Sequence, residues 1–370
     1  MISKACVTGV YQTKLEALAR LPGMALTVAV PPSWRDERGD IRLERVHTEG
    51  YELVETPIAL NGHFHLHFYP HLGELIRRFR PQVLHIDEEP YNLATFQALW
   101  LGQRARPRPR TVFFTWQNLD RRYPPPFRWV ERYNLCHADH ALAGNREAKA
   151  VLRAKGYAGP VAVIPQFGVD PAVFSPAEKP CPEEKRGTFV IGYVGRLVEE
   201  KGVGTLLRAA ARLAVENDWR LHLVGGGPQE RSLQQLASQL NIIERVRFEG
   251  QVASTEMPAR LRGLDTLVLP SLTRPNWKEQ FGRVLIEAMA CGVPVIGSDS
   301  GEIPHVIGDA GLLFPEGNVQ TLHDRLARLI ANPGLRTELA ARGRARVLAH
   351  YTQARIAEAT CAVYEQMLAL

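Results

Sequence analysis

Short apolar runs alternate with amphipathic stretches along the whole chain. The runs LTVAV (26–30), VLHID (83–87), TVFFT (111–115), HALAG (140–144) and VAVIP (161–165) have the length and continuity of buried strands. Between them, LGELIRRFR (72–80) and NREAKAVLRAKG (145–156) carry helical period. In the second of these, Asn145 suits an N-cap and Gly156 a stop. Such a βαβ series predicts a parallel sheet with helices on both faces. The segment SPAEKPCPEEKRGT (175–188) is dense in proline and charge, with almost no apolar residue, and reads as a linker. After it the alternation restarts. Strands are expected at 189–195, 220–226, 245–250, 265–270 and 294–299, with helices at 202–216, 228–240, 255–262 and 282–290. The tail from about 319 to 370 is helical in pattern.

The expected division is therefore a first domain at 1–175, a linker at 176–188, a second domain at 189–345, and a C-terminal helix at 346–370 packing back on the first domain. Both domains read as α/β, doubly wound and Rossmann-like, facing each other across a cleft. Ligands of such sheets bind outside the carboxyl ends of the strands, where helix N-termini point. The loops that follow each strand are thus where chemistry is expected.

Composition narrows the class. With 370 residues, 45% apolar and 23% charged, the chain has the make-up of a soluble two-domain protein. It has no apolar run long enough to span a bilayer. Its first residues are too weakly apolar for a secretory leader. Five scattered cysteines show neither metal spacing nor a disulfide framework, so a reducing cytoplasm is expected. The net charge of +6 is concentrated in the first half, in arginine clusters around 77–80, 104–110 and 121–122. These read either as solvated loops or as a basic face toward an anionic acceptor or the inner face of a membrane, as a peripheral contact. No finger or aromatic-interleaved basic motif accompanies them, so nucleic acid is not an expected partner.

Two loops carry candidate chemistry. YVGRLVEEKG (193–202) follows a strand and sets Arg196 and Lys201 around the turn into the next helix. A guanidinium fork and a mobile ammonium suit a diphosphate, although Arg196 pairing with Glu199 or Glu200 on the surface fits the same spacing. KEQFGRVLIEAMACGVP (278–294) places Glu279 just before a helix that starts near Gly282, and Glu287 inside it. The helix start is an anion site by its free N–H groups and its dipole. Two carboxylates about 12 Å apart, if the span were all helix, cannot share one proton-transfer task. They are expected to touch groups on either side of a phosphate. LVGGGP (223–228) lacks a dinucleotide fingerprint, and no P-loop occurs.

The ordered motifs GYVGRLVEEKG (192–202), LHLVGGGPQ, VRFEGQV, EQFGRVLIEAMACGVPVIGSDSGEIPHVI (279–307) and GLLFPEGN (311–318) resemble those of the family 4, group 1, retaining glycosyltransferases of the GT-B fold. The likeness covers 189–318 and, more loosely, 163–176. It implies a UDP-sugar or GDP-sugar donor, a hydroxyl acceptor and no metal. By position, Arg196 and Lys201 would hold the diphosphate with the backbone of Gly282, Arg283 and Val284. Glu287 would take the ribose hydroxyls, Glu279 the donor sugar and Val252 the base. The acceptor would belong to an envelope glycan, a glycolipid or a small metabolite. Two departures stand out. Only Thr8-Gly9-Val10 occupies the first loop, where many members have paired glycines, so the phosphate or acceptor contact of Gly9 is open. Trp116-Gln117-Asn118 stands where many members have a histidine, leaving that role to Gln117 or Asn118, or to neither.

On the acceptor side, Asp87, Glu88 and Glu89 in HIDEEP follow a strand and either bind acceptor hydroxyls or cap a helix. Tyr91 and Trp116 either stack on ligand or belong to the core. The alternating His63, His65, His67 and His71 are more cheaply explained by packing than by metal. Two competing functions remain. One is a GT-B-shaped epimerase or phosphorylase, although no pyridoxal-phosphate lysine motif is present. The other is a non-catalytic binder of sugar nucleotides.

Overall fold

A computed structural model describes residues 1–36, 39–176, 187–214 and 217–369. Most of the expected linker, 177–186, lies outside the described residues. The chain forms two compact units. Unit 1 comprises Met1–Gly168 with Gln353–Leu370, and unit 2 comprises Val169–Thr352. The border lies at 168–169, ahead of the proline-rich segment, and the return to unit 1 starts at Gln353 rather than at 346. The later return follows from one uninterrupted helix, Pro333–His350, whose Gly343 packs on Met289 of unit 2.

In unit 1, helix α1 (Thr13–Ala19) precedes strand β1 (Thr27–Val30), an antiparallel pair β2 (Ser33–Asp36) and β3 (Gly39–Arg42), and strand β4 (Glu52–Glu55). Then follow α2 (Leu72–Phe79), β5 (Val83–Ile86), α3 (Leu93–Arg104), β6 (Arg110–Thr115), α4 (Phe127–His137), β7 (His140–Ala143), α5 (Arg146–Ala154) and β8 (Val161–Val163). Asn145 caps α5 by accepting from the Ala148 N–H at 2.7 Å. β5 to β8 are parallel neighbours in order, and β1 pairs with β4 in parallel. Ile2 joins the two sets as a one-residue first strand. Its N–H donates to His85 O at 2.9 Å, and the Ser3 N–H donates to Ala29 O at 3.1 Å. Read across the sheet, the order is β4, β1, Ile2, β5, β6, β7, β8, so chain direction in the ordering reverses between Ile2 and β5.

Strand alternation divides the core of unit 1. Ile86, Phe113 and Ala141 face one side with α2 and α3 residues Leu72, Ile76 and Leu99. Val112, Phe114 and Leu142 face the other, against Ile356, Val363 and Tyr364 of the returning helix Gln353–Leu368.

Unit 2 contains β9 (Phe189–Val194), α6 (Val203–Ala210), β10 (Trp219–Val224), α7 (Glu230–Gln239), β11 (Val246–Gly250), α8 (Met257–Arg262), β12 (Thr266–Leu269), α9 (Arg283–Ala290), β13 (Val295–Ser298), α10 (Ile303–Ile307), β14 (Leu312–Phe314), α11 (Val319–Ala331) and α12 (Pro333–His350). The strands form one parallel six-stranded sheet in the order β11-β10-β9-β12-β13-β14. Counted within the unit this is 3-2-1-4-5-6, the doubly wound order whose switch point lies between the first and fourth strands. The loops leaving β9 and β12 flank that point.

Candidate functional site

The two motifs singled out in the sequence are those two loops. After β9, residues 195–202 run to a left-handed Gly202 (φ 66°) that ends the Glu199–Lys201 turn and opens α6. A Cβ on Gly202 would lie 2.0 Å from Pro270 O, so only glycine lets the two loops approach. The Leu272 N–H donates to Glu200 O at 2.7 Å, and Arg274 Nη2 lies 2.8 Å from Glu199 Oε1. The first loop also rests on the turn after β10. The Gly195 N–H donates to Val224 O and the Leu197 N–H to Gly226 O, at 2.9 and 3.0 Å. The Gly225 N–H in turn donates to Gly250 O at 2.6 Å, which brings half-buried Val252 beside this cluster of strand ends.

Lys201 Nζ lies 2.6 Å from Glu279 Oε2. Ser271 Oγ donates to the same oxygen at 2.8 Å, and Ser298 Oγ fixes the Ser271 carbonyl at 2.6 Å. The Trp277 ring lies 4.8 Å from the Lys201 ammonium. Glu279 is 7% exposed and Ser271 is fully buried. The carboxylate is thus held in one position by an ammonium and a hydroxyl in a largely dry setting, where an unpartnered charge is costly. Its backbone is held as well: the Glu302 N–H donates to Glu279 O at 3.2 Å.

The helix expected at 282–290 is α9, N-capped by Gly282 with φ 76°. Arg283 and Val284 therefore present first-turn N–H groups beside Glu279. Arg283 Nε lies 3.0 Å from Glu287 Oε1 across one turn. Burial pushes the Glu287 carboxyl above its ordinary value, and Arg283 opposes that shift. Arg196 is exposed on the first loop, where the Tyr193 hydroxyl donates to its carbonyl at 2.7 Å. Glu199 pairs with Arg274. Unit 2 thus gathers Arg196, Lys201, Val252, Glu279, Gly282, Arg283, Val284 and Glu287 on the loops and helix start at the carboxyl ends of its strands.

Unit 1 repeats the arrangement at its own switch point. Lys4, after the first strand, forms an ion pair with Glu88, after β5. Burial would raise the Glu88 carboxyl, but Lys4 and His67 hold it down at about 2. Asp87 accepts from Ser3 Oγ at 2.6 Å and from Gln166 Nε2 at 2.9 Å. Glu89 accepts from Thr115 Oγ1 at 2.6 Å and from the Trp116 N–H at 2.8 Å. Burial pushes Glu89 up to about 7 against those two bonds. A cavity of about 240 Å³ opens here, with Asp87 and Trp116 among its walls.

The other sequence candidates of unit 1 do not line this cavity. Gly9 donates its N–H to Glu44 Oε2 at 2.5 Å. Tyr91 packs at tilted ring angles in a cluster with Tyr123 (4.6 Å) and His65 (5.2 Å). Gln117 and Asn118 are buried; Gln117 bonds Tyr123 and Lys155, and Asn118 bonds Glu147. Of the alternating histidines, His67 is buried with Nδ1 2.9 Å from Phe64 O, whereas His71 pairs with exposed Glu74. Among the described residues, no group of three or more potential ligands is placed to hold a metal ion, and no helix is long and apolar enough to cross a membrane. Sequence reasoning missed Lys4 and Ser271. Their one signal is position, each within a few residues of a strand's carboxyl end.

Residues 176–346 match the family described as glycosyl transferases group 1, and residues 9–166 match the glycosyl transferase 4-like domain. A GDP-mannose-dependent monoacylated alpha-(1-6)-phosphatidylinositol monomannoside mannosyltransferase of Corynebacterium glutamicum is 35% identical over 196 residues, 50% of this chain and 51% of the relative. The chain spans about half the length of the curated relatives it matches first. Among solved structures, a glycosyltransferase from Rickettsia africae superposes with TM-score 0.75 at 16% identity, covering 99% of this chain and 97% of that one. HepE of Anabaena, solved in complex with UDP, superposes with TM-score 0.73 at 19% identity, covering 99% and 98%. These likenesses agree with the two Rossmann-like sheets, and the chain belongs to the group 1 glycosyltransferases of the GT-B fold.

Proposed function

We propose that this protein is a retaining glycosyltransferase that moves a sugar from a UDP-sugar or GDP-sugar to a hydroxyl acceptor without needing a metal. The observation that carries the reading is the Lys201–Glu279 pair at the switch point of unit 2, beside the start of α9. Unit 2 takes the donor. Arg196, Lys201 and the N–H groups of Gly282, Arg283 and Val284 hold the diphosphate. Glu287 accepts from the ribose, and the backbone at Val252 lines the base. Unit 1 takes the acceptor in the cavity beside Asp87 and Trp116.

The chemistry assigned to these groups is electrostatic. As the bond from the anomeric carbon to the diphosphate oxygen breaks, negative charge grows on the leaving group. Arg196, Lys201 and the start of α9 supply positive charge at that group and stabilise it. The acceptor oxygen bonds the anomeric carbon from the same face, and its proton passes to the departing phosphate oxygen. Lys201, drawn to the diphosphate, loosens from Glu279, and that carboxylate becomes available to the donor sugar on the side where positive charge develops.

The test is to incubate the full chain with UDP- and GDP-hexoses and a panel of sugar and polyol acceptors. Nucleoside diphosphate release and the anomeric coupling in the product are followed by NMR. Transfer with retention, unchanged by a chelator, is expected. Inversion, a chelator-sensitive rate, or epimerised donor without acceptor would reject the assignment.

A further inference from the structure

The cavity of unit 1 selects by charge, and the acceptor class follows from it. This step rests on reading that cavity as the acceptor site. Among the described residues, Lys4 is the one cation lining it. That ammonium is already committed: it pairs with Glu88 and lies 5.4 Å from the Trp34 ring and 4.6 Å from the Phe64 ring. Lys14 is buried at 3% exposure and is attracted to Asp87 without lining the space. Four carboxyl groups, Asp36, Asp87, Glu88 and Glu89, lie on the walls, that of Glu89 only partly ionised at neutral pH because burial pushes it up to about 7.

A second observation, independent of that count, concerns the first loop. There, Thr8 and Tyr11 line the cavity on either side of Gly9. In this chain the Gly9 N–H is taken by Glu44 Oε2 at 2.5 Å, and a Cβ on Gly9 would lie 2.9 Å from the same oxygen. Glu44, whose N–H donates to Val7 O at 2.9 Å, thus adds a carboxylate beside Val7 and Thr8 at the edge of the cavity. A phosphorylated ring in the cavity would sit among like charges, which disfavours the charged form in a confined site. Aromatic walls and surplus carboxylates suit the opposite ligand. Rings of Trp34 and Trp116 cover apolar C–H faces and attract cations, and carboxylate oxygens accept from hydroxyls and ammonium groups.

We infer that the acceptor end seated in unit 1 is a polyhydroxylated ring bearing no phosphate or carboxylate, with a ring amine favoured over a neutral ring.

The full chain is titrated calorimetrically with methyl glucoside, glucosamine and glucose 6-phosphate. Glucosamine is expected to bind tightest and glucose 6-phosphate at least about tenfold weaker than the glucoside, with the amine's advantage shrinking as salt is raised. Glu44→Gln, a change at an exposed side chain checked for folding by circular dichroism, is expected to narrow the gap to the phosphate by about three- to tenfold. Phosphate binding equal to or tighter than the glucoside, no binding of any probe, or a gap untouched by Glu44→Gln would each overturn the inference. UDP and GDP titrations on the same samples read the donor site separately. If nucleotide binds and the phosphate probe wins, the acceptor inference falls and the donor reading stands. If the probes rank as expected and no nucleotide binds, the donor reading falls instead.

Discussion

Lys201 and Glu279, 78 residues apart, meet at 2.6 Å from opposite sides of the switch point of unit 2. A cation suited to phosphate and a carboxylate suited to a sugar hydroxyl satisfy each other here. The two charges can be stored in a half-dry pocket only because each neutralises the other. On the proposed assignment of Lys201 to the diphosphate, donor binding competes with this pair.

That competition has a sign. Glu279→Gln removes the rival charge but keeps an oxygen for the Ser271 hydroxyl. Losing a rival worth about 1 kcal/mol should tighten nucleoside diphosphate binding roughly fivefold. Turnover should fall by about 10²–10³ as the donor sugar loses its charged partner. Calorimetry with UDP and GDP, alongside steady-state transfer, checks both. Trp277, 4.8 Å from the ammonium, should report the exchange as a change in tryptophan fluorescence on adding nucleotide, absent in Trp277→Phe. Weaker nucleotide binding by the Gln variant would mean that the pair is not a competitor.

Gly301 supports Glu279 from behind. Its φ is +56°, and a Cβ there would lie 2.0 Å from Glu279 O. Gly301→Ala combines a strained backbone with a clash against main chain, which cannot swing aside as a side chain would. A loss of about 2–4 kcal/mol in unfolding free energy is expected, together with lower turnover in whatever folds. Chemical denaturation measures the first, and a loss below about 1 kcal/mol would show that the loop yields easily.

Glu89 supplies a pH test in unit 1. Its carboxyl is raised by burial from 4.5 to about 7, so ionising it costs more in the folded chain than in the unfolded one. The associated stability is fully present below the ordinary carboxyl value and is lost as pH rises toward 7. Glu89→Gln cannot ionise. The stability of this variant relative to the parent should therefore climb between pH 4.5 and about 7 and then level off. A relative stability that is flat across this window, or that falls, would contradict the burial of an ionisable Glu89.

Much of this architecture was legible in the pattern of residues. The strands that run as continuous apolar stretches, such as TVFFT and FVIGYV, and the helices with clear stops, such as Asn145 to Gly156, emerge within a residue or two of expectation. The antiparallel pair β2–β3 and the short β4 did not. SWRD, GDIR and ELVE are polar edge segments with no buried run to mark them. The first strand was invisible because it is a single bridging residue, Ile2, whose role depends on β1 and β5 lying on either side. At the site, residue types and spacing pointed to Arg196, Lys201, Glu279 and Glu287. That Lys201 and Glu279 touch depends on strand order, which brings β9 beside β12, and a linear pattern does not encode such adjacency. The same holds for Lys4 with Glu88. Asp87, expected toward ligand or a helix cap, lines the cavity and is held there by Ser3 and Gln166, partners distant in sequence.

The central claim is that the loops at the switch point of unit 2 hold a nucleoside diphosphate through Lys201. Calorimetric titration of the full chain with UDP and GDP, parent against Lys201→Ala, tests it most directly. One of the two nucleotides should bind saturably to the parent and about tenfold to a hundredfold more weakly to the variant. Equal affinity in parent and variant, or no binding of either nucleotide to the parent, would contradict the account.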